Sequence, residues 1–251
     1  VHVDGSVDPI RDIETINLEL VLADLETVNK RIERAAKLAK GDKKYYAEED
    51  LFKKIRDHLE AGKPARTLEL NDDEKEIIKD AFLLTMKPIL YVANVSESDI
   101  GKENKYVEKV KEYAKAESSE VVTLCVKIEE ELSSLEGEEK QEMLEAMGLD
   151  ESGLDKVIKA SYDLLGLMSF LTAGKKEVRA WTIKKGTKAP QAAGKIHTDF
   201  ERGFIKAEIV SYDDLVRLGS YQKAKEAGLV GLEGKDYVMQ NGDIVEFKFN
   251  V

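Results

Sequence analysis

Residues Lys87–Asp99, KPILYVANVSESD, set an apolar run against a polar turn. Ile89-Leu90-Tyr91-Val92-Ala93 is nearly continuous in apolar character, which predicts a parallel strand covered on both faces. The chain then turns through Asn94-Val95-Ser96-Glu97. Ligands of open α/β sheets bind outside the carboxyl ends of the strands, so Asn94 and Glu97 stand where a base could be read. The same four residues could equally start a turn and cap the next helix.

Downstream, a helix is predicted from Glu103 to Ala116 and a second buried strand over Val121–Val126. Strand, helix and strand within about forty residues predict a βαβ unit, a parallel pairing and a right-handed crossover. Lys127–Leu135, Glu138–Met147 and Leu154–Leu167 read as further amphipathic helices. Upstream, residues 1–12 are polar and turn-rich, with Asp4-Gly5 and Asp8-Pro9. A long helix follows, whose seam of Leu18, Val21, Leu25, Val28, Ile32, Ala35 and Ala39 alternates three and four like a coiled-coil face. Gly41 closes it, and a second helix from Asp42 to Ala61 turns Tyr45, Phe52, Ile55 and Leu59 to one side, so the two make an antiparallel hairpin. A third helix, Asp72–Leu84, takes Asn71 as its cap. His58 has no acidic or histidine partner at metal spacing and reads as structural.

Beyond about Leu167 the pattern changes to short strands: Val178–Ile183, Phe204–Val210, and Val238-Met239 with Ile244–Phe249 around an Asn241-Gly242-Asp243 hairpin signal. With a short helix at Ala189–Ile196, they predict a small α+β module of β-grasp type.

Hydrophobic residues make up 42% of the 251, enough for a sizeable core. The net charge of −11 excludes a polyanion binder driven by bulk charge. From Val178 onward, however, 12 Lys/Arg face 10 Asp/Glu, against 27 and 40 before it, so only the C-terminal part suits nucleic acid, and mildly. The single Cys125 allows no intrachain disulfide. No run approaches the ~20 apolar residues of a membrane helix, so a cytoplasmic protein without membrane or DNA partners is expected. The chain begins Val1-His2-Val3-Asp4 without Met, which reads as the interior of something longer.

Catalytic motifs are absent. Gly231-Leu232-Glu233-Gly234-Lys235 has the wrong spacing for a phosphate-binding G-x-x-x-x-G-K-[ST] loop, and neither G-x-S-x-G nor H-E-x-x-H occurs. His197 and Asp199 could form an acid/base pair, but with no nucleophile near them they read as a helix cap.

Three runs carry a resemblance: KPILYVANVSE, AWTIKKGTKAPQAAGKIHTDFERGFIKAEIVSYDDL and EGKDYVMQNGDIVEFKFNV. The chain resembles the YchF group of Obg-like ATPases, translation-factor-class P-loop NTPases, over essentially its whole length. The resemblance implies an α/β G-domain portion with a parallel sheet, an inserted α-helical coiled-coil arm and a small α+β β-grasp (TGS-like) domain. The corresponding segments are 1–12 and 87–166 for the G domain, 13–86 for the arm and 167–251 for the TGS-like part. It further implies that Asn94, Val95, Ser96 and Glu97 are the family's N-x-x-E base-recognition motif, selecting ATP where N-K-x-D relatives take GTP. Asn94 would accept from the adenine amino group and donate to a ring nitrogen. Thr123, Leu124 and Cys125, at the second strand's end, would pack against the base. The family's phosphate-binding loop, switch segments and Mg²⁺ ligands would precede Val1, so this chain would supply adenine recognition but no phosphate site, and alone should not hydrolyse ATP. The implied partners are ATP and a ribosome or RNA, reached through the arm and the TGS-like part, with Lys184, Lys185 and Lys188 as RNA-facing charges. Without the resemblance those lysines are an ordinary solvated turn. The alternative is a non-catalytic interaction module that binds ribosome or RNA.

Overall fold

Asp8 accepts a hydrogen bond from the Arg11 amide and Pro9 fits the first helical position, so α1 runs Pro9–Ala39, starting ahead of the expected boundary after residue 12. The computed structural model describes residues 6–174 and 177–250, and the expected Asp4-Gly5 turn lies outside them. The chain divides into two compact units, Val1–Ala160 and Ser161–Val251.

In the first unit, α1 folds back on α2 (Tyr45–Glu60), burying Val21 and Val28 against Leu51, Phe52, Ile55 and Leu59. The seam departs from the expectation in its first half: Leu18 is 52% exposed, while Asn17 and Asp24 are buried. The reason is length. At 1.5 Å per residue α2 spans about 24 Å, roughly half of α1, so it covers α1 only from about Val21 onward. Asp24, 2% exposed, instead accepts from the Leu84 and Thr85 amides (2.8 and 2.7 Å) and the Thr85 hydroxyl (2.6 Å). The same hydroxyl accepts from the Ala65 amide at 2.9 Å.

The third helix, α3 (Asp72–Ile78), opens on a reciprocal cap in which Asn71 and Glu74 each accept from the other's amide. It ends earlier than the expected Leu84, because a 3₁₀ turn follows and Phe82 adopts φ 50°, reversing the chain.

The βαβ unit is β1 (Leu90–Asn94), α4 (Lys105–Ala116) and β2 (Glu120–Leu124), paired in parallel from Leu90↔Glu120 to Asn94↔Leu124. The first strand is not covered on both faces as its apolar run suggested. Among the described residues β1 pairs only with β2, and Val92 is 48% exposed. The second strand stops at Leu124, short of the expected Val126, because Val126 already opens α5 (Val126–Ser133). Next come α6 (Gly137–Ala146) and α7 (Gly153–Leu164), the last ending three residues before the expected Leu167.

A polar knot ties β1 to the helices. Arg66 Nη2 lies 2.9 Å from Glu117 Oε2, which also accepts from the Tyr91 hydroxyl at 3.2 Å. Burial, then the Glu117 carboxylate, pushes the Tyr91 hydroxyl up to about 12.

The second unit contains β3 (Leu167–Ala173), β4 (Val178–Lys184), α8 (Ala189–Ile196), α9 (Thr198–Arg202), β5 (Phe204–Ser211), α10 (Tyr212–Leu218), α11 (Tyr221–Glu226), β6 (Gly231–Glu233) and β7 (Asp243–Phe249). The sheet order is β4-β3-β7-β5-β6, with β3 and β7 parallel and the other pairs antiparallel. Met168, Phe170, Ile183, Phe204, Val245 and Phe247 meet Ala189, Ala192 and Ala193 of α8 in the core. The expected hairpin at Asn241-Gly242 does not form. Val238 makes one isolated bridge to Lys188, and the turn serves β3 instead, with Asn241 Oδ1 accepting from the Ser169 amide at 3.0 Å and the Gly242 amide donating to the Ser169 carbonyl at 2.8 Å. Gly242 permits this at φ 81°.

Candidate functional site

Asn94 is the last residue of β1, and the chain leaves the sheet beside the end of β2: the Val95 amide donates to the Leu124 carbonyl at 2.9 Å. Asn94 Oδ1 accepts from the Val126 amide at 3.1 Å. One of the free N–H groups that open α5 is thereby satisfied. The amide nitrogen of Asn94 has no protein partner among the described residues and remains a donor.

Glu97 opens a 3₁₀ turn, Glu97–Asp99, and its Oε2 lies 2.9 Å from Nζ of Lys127, the second residue of α5. Glu131 Oε1 stands 3.9 Å from the same ammonium. The hydrogen bond from Lys127 to Glu97, then the charges of Glu97 and Glu131, hold the ammonium above its ordinary pKa. A cleft of about 680 Å³ is lined by Asn94, Val95, Ser96, Glu97, Ser98, Cys125 and Lys127.

The fold thus brings Asn94, Val95, Ser96, Glu97 and Cys125 together. Thr123 and Leu124, the residues just before Cys125, do not line this cleft. Thr123 lines a neighbouring cleft of about 330 Å³ that shares Val95 with the first. Leu124 is buried against Gly153, where an added Cβ would stand 2.5 Å from Leu124 Cβ and 2.8 Å from Glu129 Oε1. Glu129 closes that junction, its two carboxylate oxygens accepting from the Gly153 and Leu154 amides at 2.8 and 2.9 Å.

Sequence reasoning missed Ser98 and Lys127. Lys127 carried a weak signal, the first-turn position of the helix after the second strand, but its pairing with Glu97 spans 30 positions.

The lysines of the second unit are more occupied than their exposure suggests. Lys185 pairs with Asp163 and Lys188 with Asp236, each at 2.7 Å. The Lys188 hydrogen bond holds the Asp236 carboxyl below its usual range. Lys184, exposed at the end of β4, has no carboxylate partner among the described residues. His197 caps α9, its Nδ1 accepting from the Asp199 amide at 3.2 Å. His58 Nε2 lies 2.8 Å from the Thr67 hydroxyl.

Among the described residues no group of three or more His, Cys, Asp or Glu side chains converges as a metal site. No helix among them is long and apolar enough to cross a membrane.

Residues 167–250 match the family model YchF-GTPase_C, described as "Protein of unknown function (DUF933)". Over 255 residues the chain is 58% identical to the ribosome-binding ATPase YchF of Bacillus subtilis, covering all of this chain and 69% of that protein. It is 47% identical to Obg-like ATPase 1 of Rattus norvegicus over 99% of this chain and 64% of that one. The structure of the Schizosaccharomyces pombe YchF GTPase superposes with a TM-score of 0.84 at 39% identity, over 99% of this chain and 68% of that chain. With mixed α/β architecture and sequence agreeing from one end to the other, the chain belongs to the YchF/Obg-like ATPase family.

Proposed function

We propose that the cleft at the end of β1 reads the adenine of ATP, and that the chain acts within a slowly hydrolysing, ribosome-associated ATPase. The observation that carries this reading is the division of labour in Asn94. Its oxygen is held by the Val126 amide, so the donor nitrogen is oriented for an acceptor such as a purine ring nitrogen. Val95 and Ser96 line the same cleft, and in this reading their backbone groups meet the remaining edge of the base. The cleft residues bind and orient the base, and the phosphate contacts and Mg²⁺ that the resemblance implies are supplied by the rest of the working ATPase. The α1–α2 hairpin is read as the coiled-coil arm and the five-stranded unit as the TGS-like β-grasp domain, both meeting ribosome or RNA.

The test is calorimetric titration of this chain with ATP and GTP. ATP binding that exceeds GTP binding, and that falls roughly ten-fold or more in Asn94→Ala, is expected for loss of a base-reading hydrogen bond. Binding of neither nucleotide would leave the second reading, a coiled-coil and TGS-like module for ribosome or RNA. In that reading Lys184 is the one of the three lysines without a carboxylate partner among the described residues, because Lys185 and Lys188 are paired with Asp163 and Asp236.

A further inference from the structure

Glu97 is the single carboxylate lining the cleft. A free carboxylate there would present two acceptor oxygens to a base edge, a match for the N1–H and 2-amino donors of guanine. Adenine has no such donor pair. In the folded chain one of those oxygens is taken, since Oε2 of Glu97 sits 2.9 Å from Lys127 Nζ. The arrangement is doubly anchored: Asn94 is held by Val126 and Glu97 by Lys127, so both ends of the base-reading tetrapeptide are tied to consecutive residues in the first turn of α5. Glu131, one turn further along α5, places a second carboxylate 3.9 Å from the ammonium.

We propose that Lys127 is a specificity-determining residue, one that excludes guanine by occupying the Glu97 carboxylate. This rests on the reading of the cleft as a base site. Both partners are exposed, at 67% and 53%, so the bond is screened by water and salt and its effect on selectivity is modest.

The experiment compares ATP and GTP affinities of the chain and its Lys127→Met variant by titration at low and high salt. The expected result is a gain in GTP affinity of about two- to five-fold in Lys127→Met, with ATP affinity changed less, so that the preference narrows. Adding Glu97→Gln to that variant removes the gain, because an amide supplies one acceptor instead of two. Unchanged GTP affinity, or an equal fall for both nucleotides, overturns the role of Lys127. An Asn94→Ala control separates the two levels. If it loses binding while Lys127→Met leaves the preference intact, Lys127 alone is misassigned. If it binds as the parent does, or if the parent binds neither nucleotide, the base site and the proposal fall together.

Discussion

In the unit Val1–Ala160, Asn17, Asp24 and Thr85 lie inside the helical part at 8%, 2% and 0% exposure, and Arg66 and Glu117 form a mostly buried ion pair beneath β1. In Ser161–Val251 the interior is aromatic and aliphatic, with Phe170 against Trp181 and Phe247, and Asp243 is its one buried charged residue among those described. The contrast follows from geometry. A five-stranded sheet offers a wide face on which a short helix can close a continuous apolar core. In the first unit, polar groups are buried between the elements as well, and hydrogen bonds such as those of Asp24 to the Leu84 and Thr85 amides satisfy them. The first unit adds buried hydrogen bonds to its apolar packing, the second rests mainly on apolar area, and the turn Asn94–Glu97 lies in the first.

The largest effects should separate the units. Asp24→Ala leaves two amides and a hydroxyl without their acceptor and should cost about 3–5 kcal/mol. Hydrogen exchange should place that loss in Val1–Ala160. Phe170→Ala, which empties a fully buried ring site, should cost a similar amount, about 3–5 kcal/mol, in the other unit. Comparable loss of protection in both units from either substitution would contradict the division.

An intermediate effect is expected at Gly153. Helix propensity favours alanine over glycine, yet the added Cβ meets Leu124 and the Glu129 carboxylate at sub-contact distance. Gly153→Ala should therefore destabilise by about 1–3 kcal/mol in a urea melt. A neutral or stabilising result would show that the junction behind β2 yields easily.

The smallest effect sharpens the second unit. Burial pushes the Asp243 carboxyl above its ordinary 3.8, against hydrogen bonds from the Gln240 amide and Tyr237 hydroxyl that lower it. An acid whose folded pKa is raised contributes stability below its unfolded pKa and loses it as pH climbs through the folded value. The parent should thus lose stability relative to Asp243→Asn as pH rises from about 3 to about 7 in parallel urea melts. A constant difference across that range would remove Asp243 as a buried liability.

Legibility differed by residue. The Asn71 cap, α4 and the bounds Ala189–Ile196 followed from local pattern, because a cap or a helical stripe is written within a few residues. The strand Leu167–Ala173 was hidden in LMSFLTA, apolar enough to extend the preceding helix, and it is the antiparallel ladder with β4, from Leu167↔Lys184 to Ala173↔Val178, that makes it a strand. The Asn-Gly signal at 241–242 was a sound turn cue whose partner was wrong, since the turn bonds to Ser169 across the sheet instead of closing a hairpin.

By itself the sequence determined the order of helices and strands in the first unit, the family, and the turn Asn94–Glu97 at a strand's carboxyl end. Tertiary structure alone decided that Asp24 is interior, that the Asn94 oxygen serves the Val126 amide, and that Glu97 is held by Lys127. These are pairings across 30 to 61 positions. Local periodicity tells which face of an element is apolar, but which polar group a buried donor or a charge will meet depends on how separate elements pack, and that is fixed only when the chain has folded.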